Sequence, residues 1–107
     1  MFGLFKKKVD RNELIFIFLQ TVSSLIEKNG NRITVQMIEN KIDEYLNNSK
    51  SILNQEQFMT IKSASQLVCL SEELQQKILD LHHSSESETK EKYLKVLDDF
   101  QSYGLFC

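Results

Sequence analysis

Apolar residues recur at helical spacing along the chain, and no stretch alternates convincingly between apolar and polar positions as a strand would. With successive residues set 100° apart, Leu14, Ile15, Phe18, Leu19, Val22, Leu25 and Ile26 fall within an arc of about 140°. This predicts a first helix capped by Asp10 or Asn12 and running to about Lys28, with Gly30 stopping it in a left-handed conformation. Thr34 is the expected cap of a second helix reaching to about Asn47, with Val35, Ile38, Ile42, Tyr45 and Leu46 facing inward. The polar run N-N-S-K-S then reads as a connection, and Ile52 and Leu53 either extend the helix or anchor the loop.

A third helix is expected from Asn54, with Gln57 completing a capping box, to about Leu70. Phe58, Ile61, Ser65, Val68 and Cys69 mark one face; Met59, Leu67 and Leu70 mark another. An element apolar on two sides and spaced by Ser63, Ala64 and Ser65 is expected at the centre of the bundle. Ser71, Glu72 and Glu73 open a fourth helix, the acids lying against the positive end of its dipole, with Leu74, Ile78 and Leu81 inward and an end near His83. After the polar hinge S-S-E-S-E-T, Ser85 and Glu88 are spaced as a capping box for a last helix. That helix presents Tyr93, Val96, Leu97, Phe100 and Tyr103 and closes at Gly104, with Leu105 folded back on Phe100. The expected architecture is an all-α, single-domain bundle of about five helices, antiparallel or partly orthogonal, over residues 1–107. Residues 1–9 are a candidate flexible segment, apolar and basic.

Within the first helix, Leu14 to Leu19 are six large apolar residues in succession, and only four belong to the core arc. Phe16 and Ile17 project towards Gln20, Ser24 and Glu27, the side expected to meet solvent. Either the N-terminal Phe2, Leu4 and Phe5 fold back over them, or another helix covers them, or a partner docks there. An intramolecular cover is favoured, because surplus apolar residues more often belong to a core than to an interface.

Composition narrows the function classes. At 107 residues, 41% hydrophobic and 26% charged, the chain has the make-up of one soluble globular domain. A net charge of -2 with Arg11 and Arg32 as the only arginines argues against nucleic-acid binding, and the helix pairs lack the basic face of a helix-turn-helix regulator. Abundant isoleucine, asparagine and lysine, no proline and a single alanine suggest AT-rich codons. Cys69 and Cys107, without CxxC spacing, read as reduced thiols, and a cytoplasmic location is expected. The start M-F-G-L-F-K-K-K is too short an apolar run for a signal peptide, and no run approaches the length of a transmembrane helix. Phe2, Leu4 and Phe5 beside Lys6, Lys7 and Lys8 can at most touch an anionic membrane surface.

Catalytic and cofactor signals are weak throughout. His82 and His83 are adjacent, so on a helix they point about 100° apart and do not form a metal pair; no HExxH, ExxH or CxxC accompanies them. No nucleophile elbow exists, and three scattered glycines make no phosphate cradle. No enzyme activity, cofactor or metal is expected. The acidic pairs Asp43–Glu44, Glu72–Glu73 and Asp98–Asp99 read as solvated faces. Their distribution is nonetheless uneven: from Glu72 onward there are eight acids against four lysines, whereas the first eleven residues hold four bases and one acid.

In whole-chain profile the sequence resembles the small all-helical bacterial immunity proteins that neutralise a cognate toxin: a single domain, an acidic second half, an AT-rich codon signature and no active site. That resemblance implies a non-catalytic protein-binding module that occludes a toxin, often a basic nuclease. Carboxylates such as Glu72, Glu73, Asp80, Glu86 and Glu88 are the candidate contacts, with Phe16 and Ile17 as a further candidate docking surface. The alternative is a self-associating or adaptor bundle, peripheral to a membrane through its N-terminus.

Overall fold

The computed structural model describes residues 7–83 and 96–106. It is an all-α fold in which four helices close a ring: α1 (Arg11–Asn29), α2 (Val35–Ser49), α3 (Gln55–Leu70) and α4 (Glu72–His82), each packed on its sequence neighbour, with α4 returning to α1. A short α5 (Leu97–Gln101) adds Phe100 to the core. The helix start expected at Ser85, and Tyr93 with it, lie outside the described residues.

Local signals set the helix ends. Asp10 accepts a hydrogen bond from the Glu13 amide at 2.8 Å, and Thr34 accepts one from the Met37 amide at 3.2 Å, so each satisfies an amide that the first turn leaves unpaired. Asn54 and Gln57 form the full capping box, at 2.7 Å and 2.9 Å. Gly30 ends α1 with φ 61° but ψ -137°, so it lies in the mirror-image extended region rather than the left-handed helical one, and a 3-10 turn (Gly30–Arg32) follows. The Gly104 amide bonds the Gln101 carbonyl and the Leu105 amide the Phe100 carbonyl, the two bonds of a Schellman ending.

One pairing was not foreseen. β1 (Lys7–Lys8) and β2 (Ser51–Ile52) form a two-stranded parallel bridge with Lys7 opposite Ser51 and Lys8 opposite Ile52. Lys50, at φ 54° and ψ 43°, ends α2 in the left-handed helical region, and its carbonyl accepts from the Lys7 amide at 2.9 Å. Leu53, partly buried, anchors the loop against the core.

The central helix is α1, not α3. Its nine buried residues run from Leu14 to Ile26 and include Ile17, Thr21 and Ser23. Laid out at 100° per residue they cover about 240° of its circumference, so neighbours must flank it on more than one side. Ile17 is 3% exposed and borders a groove shared with Lys41, Glu44, Tyr45 and Asn48 of α2. The intramolecular cover favoured for Ile17 is thus supplied by α2, and Ile17 is withdrawn as a docking residue because its side chain is buried. Phe16 is partly buried against the same core.

By contrast α3 buries only Ile61, Ala64, Ser65 and Val68. The small side chains of Ala64 and Ser65 let it approach its neighbours, and the Ser65 hydroxyl donates to the Ile61 carbonyl at 2.7 Å. Phe58, Met59 and Leu70, expected inside, are exposed, Leu70 to 87%; Tyr45 and Tyr103 are exposed as well. On the second apolar side of α3, Met59 and Leu70 are thus surface, while Leu67 is partly buried against the core.

The far end of the core is sealed by three rings. Phe106 lies 5.7 Å from both Phe18 and Phe100, which are 5.6 Å apart, with edge-on or tilted geometries. Phe106 has φ 60°, unusual for a side chain of its size. Arg11 Nε donates to its carbonyl at 2.8 Å, holding the tail against the start of α1.

Candidate functional site

Of the acids proposed from the sequence, Glu73 lies where α4 meets α5, whereas Glu72 turns towards Asn31 in the turn after α1. On α4, Glu72, Asp80 and Glu73 lie within about 100° of arc at helical spacing, and all three are exposed. Glu72 accepts from Asn31 Nδ2 at 3.3 Å, and Asp80 accepts from Gln76 Nε2 at 2.8 Å, so each carboxylate keeps acceptor positions towards solvent. α5 adds Asp98 and Asp99, of which Asp99 shares a groove with Glu73. Lys77 Nζ meets Asp99 Oδ2 at 3.0 Å and fastens α5 to α4. Among the described residues of these two helices, Lys77 is the single lysine set against five carboxylates. Glu86 and Glu88 lie outside the described residues, as do Phe2, Leu4, Phe5 and Lys6.

A groove crosses this face, lined by Leu67 of α3, Glu73 and Lys77 of α4, and Asp99 and Tyr103 beyond. It encloses about 210 Å³, smaller than the pockets that enfold small ligands. Tyr103 is 68% exposed at its rim. A tyrosine ring with an apolar floor and carboxylates around it suits contact with a protein surface better than capture of a metabolite. Asp98, Asp99 and Tyr103 were not among the sequence candidates; the Lys77–Asp99 pair spans 22 positions and leaves no mark in local spacing.

A second polar cluster joins α4 to α1. His83 Nε2 lies 2.9 Å and His82 Nε2 3.8 Å from Glu27 Oε2, and His82 Nδ1 is 3.2 Å from Ser23 Oγ. The end of α4 is thus cross-linked to α1. Serine, histidine and glutamate in this order have the composition of a nucleophilic triad, but the geometry does not serve one. Ser23 is 0% exposed, with its hydroxyl 2.9 Å from the Gln20 carbonyl, so a substrate has no approach to the oxygen.

Among the described residues, no three His, Cys, Asp or Glu side chains are grouped to hold a metal, and no buried side-chain nitrogen or oxygen lacks a hydrogen-bond partner. Burial pushes the Cys69 thiol above its ordinary value, which disfavours the reactive thiolate. No helix among the described residues is long and apolar enough to cross a membrane.

Comparison with family models, curated proteins and solved structures found no match to this chain.

Proposed function

We propose that the chain is a non-catalytic protein-binding module whose α4–α5 face receives a basic protein, and that this partner is a bacterial toxin which binding neutralises. The observation that supports the reading is the acidic excess of α4 and α5, with Glu73 and Asp99 sharing one groove with the exposed Tyr103. Like-signed groups concentrated on one face steer an oppositely charged partner and speed its association. Tyr103 and Leu67 supply the apolar contact that charge alone does not provide, and tyrosine is among the residues that most often dominate interface energetics. Occlusion needs no chemistry from the module itself.

The test is titration calorimetry with the product of the adjacent upstream gene, alongside survival of cells that express that product. Tight, salt-sensitive binding with protection is the expected result. The triple reversal Glu72→Lys, Glu73→Lys and Asp80→Lys should slow association and weaken binding strongly, and Tyr103→Ala should speed dissociation. Absence of both binding and protection refutes the toxin partner; unchanged binding by the reversal variant refutes this face.

A further inference from the structure

A different pole of the molecule carries the opposite chemistry. The parallel bridge brings β1 beside β2, and Gln57 Nε2 donates to the Val9 carbonyl at 2.6 Å, so the start of α3 is fastened to the same end. Ile52, Phe58 and Met59 are each about half exposed there. Lys62 stands three and four residues beyond Met59 and Phe58, on the same stretch of helix surface. Lys8 is directly opposite Ile52, and Lys50 immediately precedes β2; all three lysines are exposed.

The charge here is mainly basic. Lys62 is the only charged residue between Gln57 and Ser71. Glu56, the acid nearest in sequence, lies about 160° round α3 from Phe58 and about 60° from Met59, and lines a separate groove with Arg11, Thr60 and Phe106. Lys7 is partly answered by Glu13 at 3.6 Å.

We propose that this pole is a peripheral membrane-binding surface that takes the anionic headgroups of a lipid bilayer. Half-exposed Ile52, Phe58 and Met59 enter the headgroup boundary, while Lys8, Lys50 and Lys62 lay their aliphatic stems along it and hold their ammonium groups at the phosphates. An anionic bilayer satisfies both halves of the patch at once, because it offers apolar depth beneath a plane of negative charge. The inference is independent of the α4–α5 docking face.

Flotation of the full chain with phosphatidylglycerol-rich vesicles, and with vesicles of phosphatidylcholine alone, tests it. The chain should float with the anionic vesicles and be released by high salt. Phe58→Ser with Met59→Ser should lower the partition about tenfold without moving the unfolding midpoint. Lys50→Glu with Lys62→Glu should do the same, and this second variant keeps the test decisive should the first unfold. Reversal of Glu72, Glu73 and Asp80 should leave flotation intact, which separates a failure here from a failure of the docking face. No flotation, equal flotation with both vesicle types, or flotation unchanged in both patch variants overturns the proposal. So does binding to an acidic polypeptide such as polyglutamate without binding to vesicles.

Discussion

Replacing Phe106 by alanine tests how the end of the core is closed. The ring is 5% exposed and meets Phe18 and Phe100 at 5.7 Å, so its removal strips both of a partner and leaves a void that rigid neighbours fill only in part. Truncation of a buried phenylalanine costs about 3 to 5 kcal/mol, a large share of the roughly 5 to 15 kcal/mol that holds a domain together. The backbone adds a second test. At φ 60° a residue with a Cβ is strained, and glycine is not. Phe106→Gly should therefore be at least as stable as Phe106→Ala, reversing the usual order in which glycine is the worse by about 0.5 to 1 kcal/mol. Urea titrations followed by circular dichroism measure both, with Tyr103→Ala as an exposed control expected within about 0.5 kcal/mol of the parent. A loss below about 1 kcal/mol for Phe106→Ala, indistinguishable from that control, would refute the sealed end.

Similar titrations check the remaining expectations. Ile17→Ala should cost about 2 to 5 kcal/mol, and Phe16→Ala should cost less than a fully buried phenylalanine does because part of its ring is already in water; a neutral Ile17→Ala would return that residue to the surface. Lys50→Gly should stabilise by about 0.5 to 1 kcal/mol, since Lys50 occupies the left-handed region at φ 54°, and a loss would show that its side chain matters more than its backbone. Asn54→Ala should cost about 1 kcal/mol. Gln57→Ala should cost at least as much, because the Gln57 amide also ties α3 to the Val9 carbonyl. Because burial raises the Cys69 thiol, the unfolded chain loses that proton first as pH rises. Its contribution is therefore complete below the ordinary thiol value and fades above it. Cys69→Ala should flatten the alkaline decline in stability, and an identical pH profile would count against the assignment.

The features legible in the sequence were those decided within one turn. Asp10, Thr34, Asn54 with Gln57, Ser71, and Gly104 with Leu105 satisfy backbone groups a few residues away, so spacing alone reveals them. The choice of central helix was not legible, because it depends on which helices find each other. α1 and α3 both carry apolar residues on more than one side. Only α1 has neighbours to bury them, and α3 keeps Met59 and Leu70 in water. Phe106 was likewise hidden, since a terminal Leu-Phe carries no periodicity; its place depends on rings contributed by α1 and α5. For the candidate site, the α4 acids followed from helical spacing. The meeting of Glu73 with Asp99 and Tyr103 needed the long-range pair of Lys77 with Asp99.

Ser71 is at once the last cap of α3 and the first cap of α4: its amide bonds the Val68 carbonyl at 3.2 Å and its hydroxyl accepts from the Leu74 amide at 3.1 Å. Gln75 Nε2 donates to that same Val68 carbonyl at 2.8 Å, so the corner is bolted on both sides. With a single residue between the helices, the azimuth of α4 is geared to that of α3, and no slack exists to absorb a change of length. Inserting one residue would turn the whole row of acids by about 100° relative to the bundle, carrying Leu74 and Ile78 out of the core as it swung. An exposed acid of this row can be exchanged for another without cost to the core, while the count of residues across this corner cannot change.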